Sequence, residues 1–129
     1  MTVFVVPQIV NEVVTAAPRT STLDPRRFTT QGAAYVEATI HVTAITGAPS
    51  VQLTLTGVYT KQGSSTQSIL LATTAPITST GFTRLLIGPT VVPAANNAVA
   101  VFVPPIVEVG VTHGNSDSIT YRIFISLGG

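Results

Sequence analysis

The sequence predicts an all-β protein: an antiparallel β-sandwich or small barrel of the jelly-roll or immunoglobulin-like type, with an extended N-terminal arm. Three observations favour this class. Most segments alternate apolar and polar residues with a period of two, which is the period of a strand. Threonine, valine and isoleucine are abundant, and their branched side chains suit a pleated surface. No segment combines a helical period of 3.6 residues with capping residues.

Alternation is clearest in the part of the chain that follows the first 33 residues. In residues 34–45, for example, Val36 falls on one face and Glu37 on the other. KQGSSTQ at 61–67 has the composition of a hairpin connection, so the strand after it is expected to return beside the strand before it. The predicted strands are residues 34–45, 51–60, 69–73, 82–87, 98–103, 106–112 and 119–127.

The first 30 residues differ from the rest of the chain. TVFVV at 2–6 and IVNEVVT at 9–15 could be short strands, but APRTSTLDPRRFTTQG at 17–32 is long, polar and interrupted by proline. A connector of that length is unusual in so small a domain unless it has a function. We therefore expect residues 1–30 to form an arm and linker that contacts a neighbouring subunit, and residues 31–129 to form the sandwich. The alternative is a first strand that pairs within its own sheet.

Charge is unusually scarce. Only 9% of the residues are Asp, Glu, Lys or Arg, against about 25% in an average soluble domain. A monomer with so few charges is poorly protected against association, so the composition favours a protein that hides surface against other subunits. The alternative is a monomer that its threonine hydroxyls keep soluble. Six basic and five acidic residues leave a net charge of only +1, without the clear basic excess that nucleic-acid binding needs, and we expect no membrane-spanning segment.

HGNSDS at 113–118 is the stretch that most resembles a catalytic site. A nucleophilic triad needs Ser, His and Asp to converge from different segments, whereas His113, Ser116 and Asp117 are neighbours in sequence, and no G-x-S-x-G elbow accompanies them. Gly, Asn, Ser and Asp are the residues that turns select. We therefore predict a tight hairpin between the last two strands. Its expected register sets Val107, Val109 and Val111 against Ile119, Tyr121 and Ile123.

Other chemistry finds little support in the sequence. His41 and His113 have no i,i+4 partner and the chain has no cysteine, so a site made by both histidines with Glu37 or Glu108 is a minor alternative. No phosphate-binding glycine loop occurs, and without tryptophan an aromatic sugar platform is not expected. We expect a protein that is not an enzyme and that has no metal, cofactor or small-molecule substrate.

Several short motifs, in order and spacing, resemble a small virion protein of tailed bacteriophages. The chain lacks the Trp and Arg that this family carries before the penultimate strand, where it reads VPPIVEVG (103–110), and its apolar N-terminal segment is distinctive. The motifs that carry the resemblance are VTAITG (42–47), LTLTG (53–57), KQG (61–63), LLATTAPITSTG (70–81), LLIGP (85–89) and HGNSDSITY (113–121).

The resemblance implies a head decoration (cement) protein, made in the bacterial cytoplasm and located on the capsid surface of the virion. Its partners would be the major capsid protein lattice and copies of itself, as a trimer. Two alternatives are a capsid jelly-roll subunit and a tail, neck or fibre binding module, for which Tyr59 and Phe82 are among the few aromatics available. A third is a hydrolase that uses His113 and Asp117. The expected assembly contacts are Val3, Phe4, Val6, Ile9, Val10, Arg19, Arg26 and Arg27.

Overall fold

Two β-sheets make up the part of the chain that the structure, a computed structural model, describes, namely residues 9–60 and 66–128. Within these ranges no helix occurs, and hence none that could cross a membrane. The strands are β1 (Ile9–Arg19), β2 (Leu23–Thr29), β3 (Tyr35–Ile45), β4 (Val51–Thr60), β5 (Thr66–Thr73), β6 (Gly81–Gly88), β7 (Ala98–Ala100), β8 (Ile106–His113) and β9 (Ile119–Gly128).

The strand order is that of a jelly roll. One sheet has five strands in the order β1-β9-β3-β6-β7, and the other has four in the order β2-β8-β4-β5. All described pairs are antiparallel except β6 with the short β7. If β7 is set aside, the first strand pairs with the last, the second with the last but one, and so inwards to β4 with β5. That pairing is the jelly-roll arrangement of two Greek keys, so the predicted all-β sandwich is confirmed.

The core lies between the two sheets and follows from the alternation. Along β3, Val36, Ala38, Ile40 and Val42 are buried, whereas the residues between them are only partly covered. The four-stranded sheet opposes them with the buried faces of β4 and β8. Each Leu, Ile or Val that is fully buried in this way contributes about 1.5–3 kcal/mol to stability. The two inner faces therefore hold the sheets together.

The N-terminal strands belong to the sandwich. β1 pairs with β9 and β2 pairs with β8, and Val14 and Leu23 are buried in the shared core. Within the described part of the chain, the boundary expected at residue 30 therefore does not separate an arm from a domain. The expected contacts Val3, Phe4 and Val6 lie outside the described residues.

The last two strands do not form the predicted hairpin. β8 lies in the four-stranded sheet and β9 in the five-stranded sheet, so the connection at 114–118 crosses from one sheet to the other. The backbone of this connection bonds to the 46–50 loop: Gly114 N–H donates to Ser50 O at 2.7 Å, and Thr46 N–H donates to Ser118 O at 2.9 Å. The valines of β8 and the apolar residues of β9 thus belong to opposite sheets of the shared core and are not cross-strand pairs.

The predicted strand at 98–103 is shorter than expected. Only Ala98–Ala100 form β7, and residues 101–105 then run without strand structure from one sheet to the other. The prolines at 104 and 105 lack the N–H that a ladder needs. Their carbonyl groups are used instead, since the buried Thr30 hydroxyl donates to Pro104 O at 2.7 Å. This crossover passes beside β4, where the Pro104 ring adjoins Gly57.

Candidate assembly surface

Charged residues are unevenly distributed along the chain. Between Glu37 and Arg84 the sequence has one charge, Lys61, which lies outside the described residues, and between Arg84 and Glu108 it has none. These two stretches supply β4, β5, β7 and the crossover to β8. The side of the sandwich that ends in β5 and β7 is therefore almost without charge.

Large apolar side chains are exposed on the same side. Ile69 and Leu70 of β5 are 53% and 58% exposed, Phe102 in the crossover is 82% exposed, and Val92 is 83% exposed. Single exposed apolar residues are ordinary, but a group of them on a surface without charges indicates a contact region. We call Ile69, Leu70 and Phe102, together with the outer edge of β5, the open edge.

Strand β5 and the crossover that carries Phe102 both adjoin Gly57 of β4. Gly57 of β4 pairs with Ile69 of β5. A Cβ placed on Gly57 would meet the Pro104 ring at 3.0 Å, so the crossover lies directly over this glycine. Phe102 precedes that proline by two residues. A Cβ at this position would require the Pro104 ring to shift by a few tenths of an ångström.

The three arginines expected to contact partners have different surroundings. Arg26 is exposed, and its guanidinium donates to the nearby Asp24 carbonyl at 3.2 Å. Arg27 pairs with Glu108 of the neighbouring β8 at 2.7 Å and remains about half exposed. Both guanidinium groups therefore stay at the surface, on the β2 edge of the sandwich.

Arg19 has a contact role within its own chain. Its guanidinium donates to three backbone carbonyls, those of Thr15, Ala17 and Tyr121, at 2.8–3.1 Å. It also lies 4.7 Å above the centre of the Tyr121 ring. The bond to Tyr121 O and the contact with the Tyr121 ring connect the end of β1 to β9, whereas the other two bonds lie within β1. Of the other expected contacts, Ile9 and Val10 form the start of β1, where the backbone pairs with β9.

The polar residues of HGNSDS do not assemble into a triad. His113 Nε2 lies 3.1 Å from the Tyr121 hydroxyl. The Asp117 carboxylate accepts a bond from Ala48 N–H at 3.0 Å, and the Asn115 amide donates to Ala48 O at 2.9 Å. In the described structure, then, the histidine and the aspartate have separate partners, and the aspartate and asparagine fasten the 114–118 connection to the 46–50 loop.

His113 and Tyr121 form a partly buried polar pair beside Arg19. Burial lowers the pKa of His113, and the Arg19 charge lowers it further. Burial raises the pKa of Tyr121 to about 12, although Arg19 acts in the opposite direction. The pair therefore favours a neutral imidazole beside a protonated phenol. Such a pair can connect β8, which carries His113, to β9, which carries Tyr121. The Nδ1 atom of His113 has no hydrogen-bond partner among the described residues.

The minor alternative of a metal site places its ligands on different sheets. His41 and Glu37 lie on β3 of the five-stranded sheet, whereas His113 and Glu108 lie on β8 of the four-stranded sheet. Among residues 9–60 and 66–128, no three His, Cys, Asp or Glu side chains are grouped closely enough to hold a metal ion. The His41 ring instead stacks on Phe82, with 4.0 Å between ring centres.

Comparison of the chain with models of known protein families and with curated proteins gives no match. The candidate surface therefore depends on the geometry. Sequence reasoning missed Ile69, Leu70 and Phe102, because an apolar run predicts a buried strand and does not reveal which strand is at an edge. The scarcity of charge was the signal that could have located them: Ile69 and Leu70 lie between Glu37 and Arg84, where Lys61 is the one charge, and Phe102 lies in the charge-free stretch between Arg84 and Glu108.

Proposed function

We propose that this protein is a non-catalytic structural subunit of a virus particle, a decoration protein that binds the outside of the head and reinforces it. The observation that carries the proposal is the open edge. A jelly roll with exposed Ile69, Leu70 and Phe102 on a side almost free of charge is suited to association with other protein surfaces. Its exposed apolar area is the part that an assembly would cover.

The energy available from this surface is considerable. Burying a large apolar side chain stabilises a contact by about 1.5–3 kcal/mol relative to leaving it in water. Ile69, Leu70 and Phe102 are each more than half exposed, so most of that energy is still available to a partner. Covering this surface desolvates few charged groups, so the free-energy penalty for burying charge is small.

The uses of the polar side chains also support a structural role. Asp117 and Asn115 bond to the 46–50 loop, Arg19 bonds to three carbonyls, and the Thr74 hydroxyl accepts from Leu53 N–H. The bonds of Asp117, Asn115 and Thr74, and the Arg19 bond to Tyr121 O, each connect one segment of the sandwich to another. Side chains that are used in this way fix the scaffold.

The motif resemblance supports a virus particle as the setting. Two of its motifs, VTAITG at 42–47 and HGNSDSITY at 113–121, are distant in sequence but meet in the fold, where Thr46 N–H donates to Ser118 O. A shared pair of interlocking loops gives a physical reason for both motifs to occur in one chain. The resemblance thus involves residues that determine the fold.

The proposed mechanism is stabilisation by binding. A protein that binds the assembled shell and not its separated subunits stabilises the shell by RT ln(1 + [L]/Kd) for each site. Many copies on a repeating lattice add avidity, because neighbouring contacts hold each copy near its site. No chemical step is required of the decoration protein.

Heating particles with and without the protein tests this function. Particles lacking it are expected to release their genome at a lower temperature than complete particles, and adding purified protein back should restore the higher temperature. Equal release temperatures with saturating protein would refute the decoration role. A reconstruction of the particle in which this chain lies on the tail would do the same.

A capsid subunit is the second candidate, and the strand order favours it. The pairing of β1 with β9, β2 with β8, β3 with β6 and β4 with β5 is the jelly-roll pairing used by many viral capsid proteins. Expression of the chain alone separates the two functions. Closed shells made of this chain only would identify a capsid subunit, whereas a decoration protein requires a shell built by another protein.

A further inference from the structure

The edges of the two sheets differ in how well they are protected against pairing. An exposed edge strand offers unpaired N–H and C=O groups to any other strand, and proteins usually protect it with charges, proline, irregular backbone or short length. β1 carries Glu12, Pro18 and two register shifts along its ladder. β2 carries Asp24, Pro25 and two arginines, and its register also shifts. Both of these edges are protected.

β7 and β5 are the edges on the other side. β7 is protected by its length, since it has three residues. In β5, residues 66–70 contain no charge and no proline, and they pair with β4 in regular register. The one irregularity falls after them, between the pairs of Leu70 and Ala72. This five-residue stretch is the unprotected edge among the described strands.

We propose that the β5 edge pairs in antiparallel orientation with the β5 edge of a second copy of this chain. The pairing would extend β2-β8-β4-β5 into a continuous eight-stranded sheet across a two-fold axis. The proposal deepens the proposed function, because it names a contact between copies of the subunit; this contact pairs two copies, where the motif resemblance implies a trimer. Its geometry, however, stands without a virus particle and can be tested on the purified protein.

Charge and composition favour a second copy as the partner. An antiparallel two-fold sets the stretch Thr66-Gln67-Ser68-Ile69-Leu70 against itself, and an uncharged strand meets its own copy without repulsion. An acidic or basic partner would find no opposite charge on this strand. The self-pairing therefore satisfies the edge backbone groups and suits the side chains at the same time.

The pairing covers one apolar residue on each face of the extended sheet. Leu70 pairs with Thr56, whose side chain is on the outer face, whereas Ile69 pairs with Gly57 on the inner face. A two-fold axis at Ser68 sets Ile69 opposite Gln67 of the partner subunit and Leu70 opposite Thr66 of the partner subunit. Each apolar residue is then covered by a neighbour on its own face. Phe102 is a further exposed apolar residue, in the crossover whose Pro104 ring adjoins Gly57 of β4.

The mass of the protein in solution tests the contact. The unmodified chain is expected to sediment as a dimer, and Ile69→Lys and Leu70→Lys are expected to sediment as monomers. Phe82→Lys is the matched control, since Phe82 is 66% exposed but lies on β6 of the other sheet, and it should remain dimeric. A monomeric unmodified chain, or a dimer or trimer that survives both β5 substitutions, would overturn the proposal.

Cysteine cross-linking tests the geometry, because the chain has no cysteine of its own. Opposed residues in an antiparallel pair have Cα atoms about 4.5–5.5 Å apart, which a disulfide can bridge. Mild oxidation of Ser68→Cys or Ile69→Cys should give a covalent dimer in at least one case, depending on which residue the two-fold passes through. Ser116→Cys, exposed in the loop between β8 and β9, is the control and should stay uncross-linked. No cross-link at either β5 position would contradict the pairing.

The two proposals fail in different ways. If the β5 variants are monomeric and still raise the release temperature of particles fully, copies pair through β5 but the particle does not depend on it, and the decoration function stands alone. If the unmodified chain dimerises through β5 but does not change the release temperature of particles, the dimer contact is supported and the decoration role is refuted.

Discussion

The backbone of Gly47 lies directly against the carboxyl group of Asp117. A Cβ at Gly47 would meet the Asp117 carboxyl carbon at 3.0 Å, and the φ angle of this glycine is +77°. The neighbouring Ala48 N–H donates to the same carboxylate. The turn that leaves β3 and the connection into β9 thus fit each other closely, and each depends on a specific residue of the other.

Substitution of Gly47 by alanine is expected to destabilise the fold through both its φ angle and this contact. A left-handed backbone costs a residue with a Cβ about 1–2 kcal/mol. Gly32→Ala is the matched control: its φ angle is +73°, but a Cβ at Gly32 would have no atom within 4 Å. We expect Gly47→Ala to lower the free energy of unfolding in urea by more than Gly32→Ala does.

A double substitution tests whether Asp117 causes the additional destabilisation of Gly47→Ala relative to Gly32→Ala. Removing the carboxylate in Asp117→Ala costs the bond to Ala48 N–H but also makes room beside Gly47. The two substitutions should therefore cost less together than the sum of the two measured separately. Strict additivity, with all variants measured at one protein concentration, would show that the contact is not the cause.

His113 is expected to make stability depend on pH. Because its pKa in the folded protein is below the ordinary value of 6.5, the unfolded chain binds this proton more readily. The His113 contribution is therefore complete above pH 6.5 and is lost as the pH falls below it. The midpoint of thermal unfolding, measured from pH 8 to pH 5, should decrease on the acid side.

A glutamine at position 113 separates this effect from other acid effects. His113→Gln keeps a polar side chain beside Tyr121 but cannot titrate, so its curve should be flatter between pH 6.5 and pH 5. His41→Gln keeps His113 and is the matched control for replacing a histidine with glutamine. Identical slopes for His113→Gln and the unmodified chain would contradict the assignment.

Tyr121 should produce the opposite dependence in alkali. Its pKa is raised to about 12, so the unfolded chain loses this proton more easily than the folded protein does. The Tyr121 contribution is present below pH 10 and is lost as the pH rises toward 12. Tyr121→Phe should remove this loss, at a cost of about 0.5–1.5 kcal/mol at neutral pH for the bond to His113. Stability that falls equally in both proteins above pH 10 would count against the mechanism.

Removing the Arg19 side chain is expected to lower the free energy of unfolding, whereas removing the Arg26 side chain is expected to have little effect. Arg19→Ala removes three bonds to carbonyl groups and the contact with the Tyr121 ring, which should cost about 1–3 kcal/mol of unfolding free energy. Arg26→Ala removes an exposed side chain with a local bond to Asp24 and should change it by no more than about 0.5 kcal/mol. Urea titration of both variants tests this difference, and equal effects would contradict it.

The alternation of apolar and polar residues was sufficient to predict the central strands, but the sequence of the connections was not sufficient to predict which strands they join. β3 and β9 alternate because one face of each is buried, and that alternation is visible in the residues. The composition of HGNSDS indicates a turn equally well whether the strands on either side share a sheet or not. The crossing between sheets depends on contacts with the 46–50 loop, which is distant in sequence.

The N-terminal strands and the open edge could not be predicted from the sequence, for related reasons. β2 carries Asp24, Pro25 and Arg26, residues that suit a protected edge strand but also suit a loop. In β5 the apolar residues Ile69 and Leu70 suit a buried strand, whereas the topology leaves them at an edge. In both cases the position of the strand within its sheet decides the outcome, and a single strand's sequence does not contain that position.

Two deletions distinguish the part of the N-terminus that the fold needs from the part that can act on a partner. A chain that begins at Thr30 lacks β1 and β2, and so lacks Val14 and Leu23 from the core. Each lost core side chain removes about 1.5–3 kcal/mol, and the ladders on β9 and β8 lose their outer partners. We expect this chain to fail to fold cooperatively, as measured by thermal unfolding.

A chain that begins at Ile9 keeps every described strand and is expected to unfold cooperatively near the temperature of the full chain. It lacks Val3, Phe4 and Val6, which the sequence predicts to contact neighbours. If that prediction is correct, the shortened protein should bind particles less tightly than the full chain while remaining folded. Unchanged binding would assign particle attachment to the sandwich itself. The comparison must use this deletion, because loss of binding in the chain that begins at Thr30 would follow from loss of the fold.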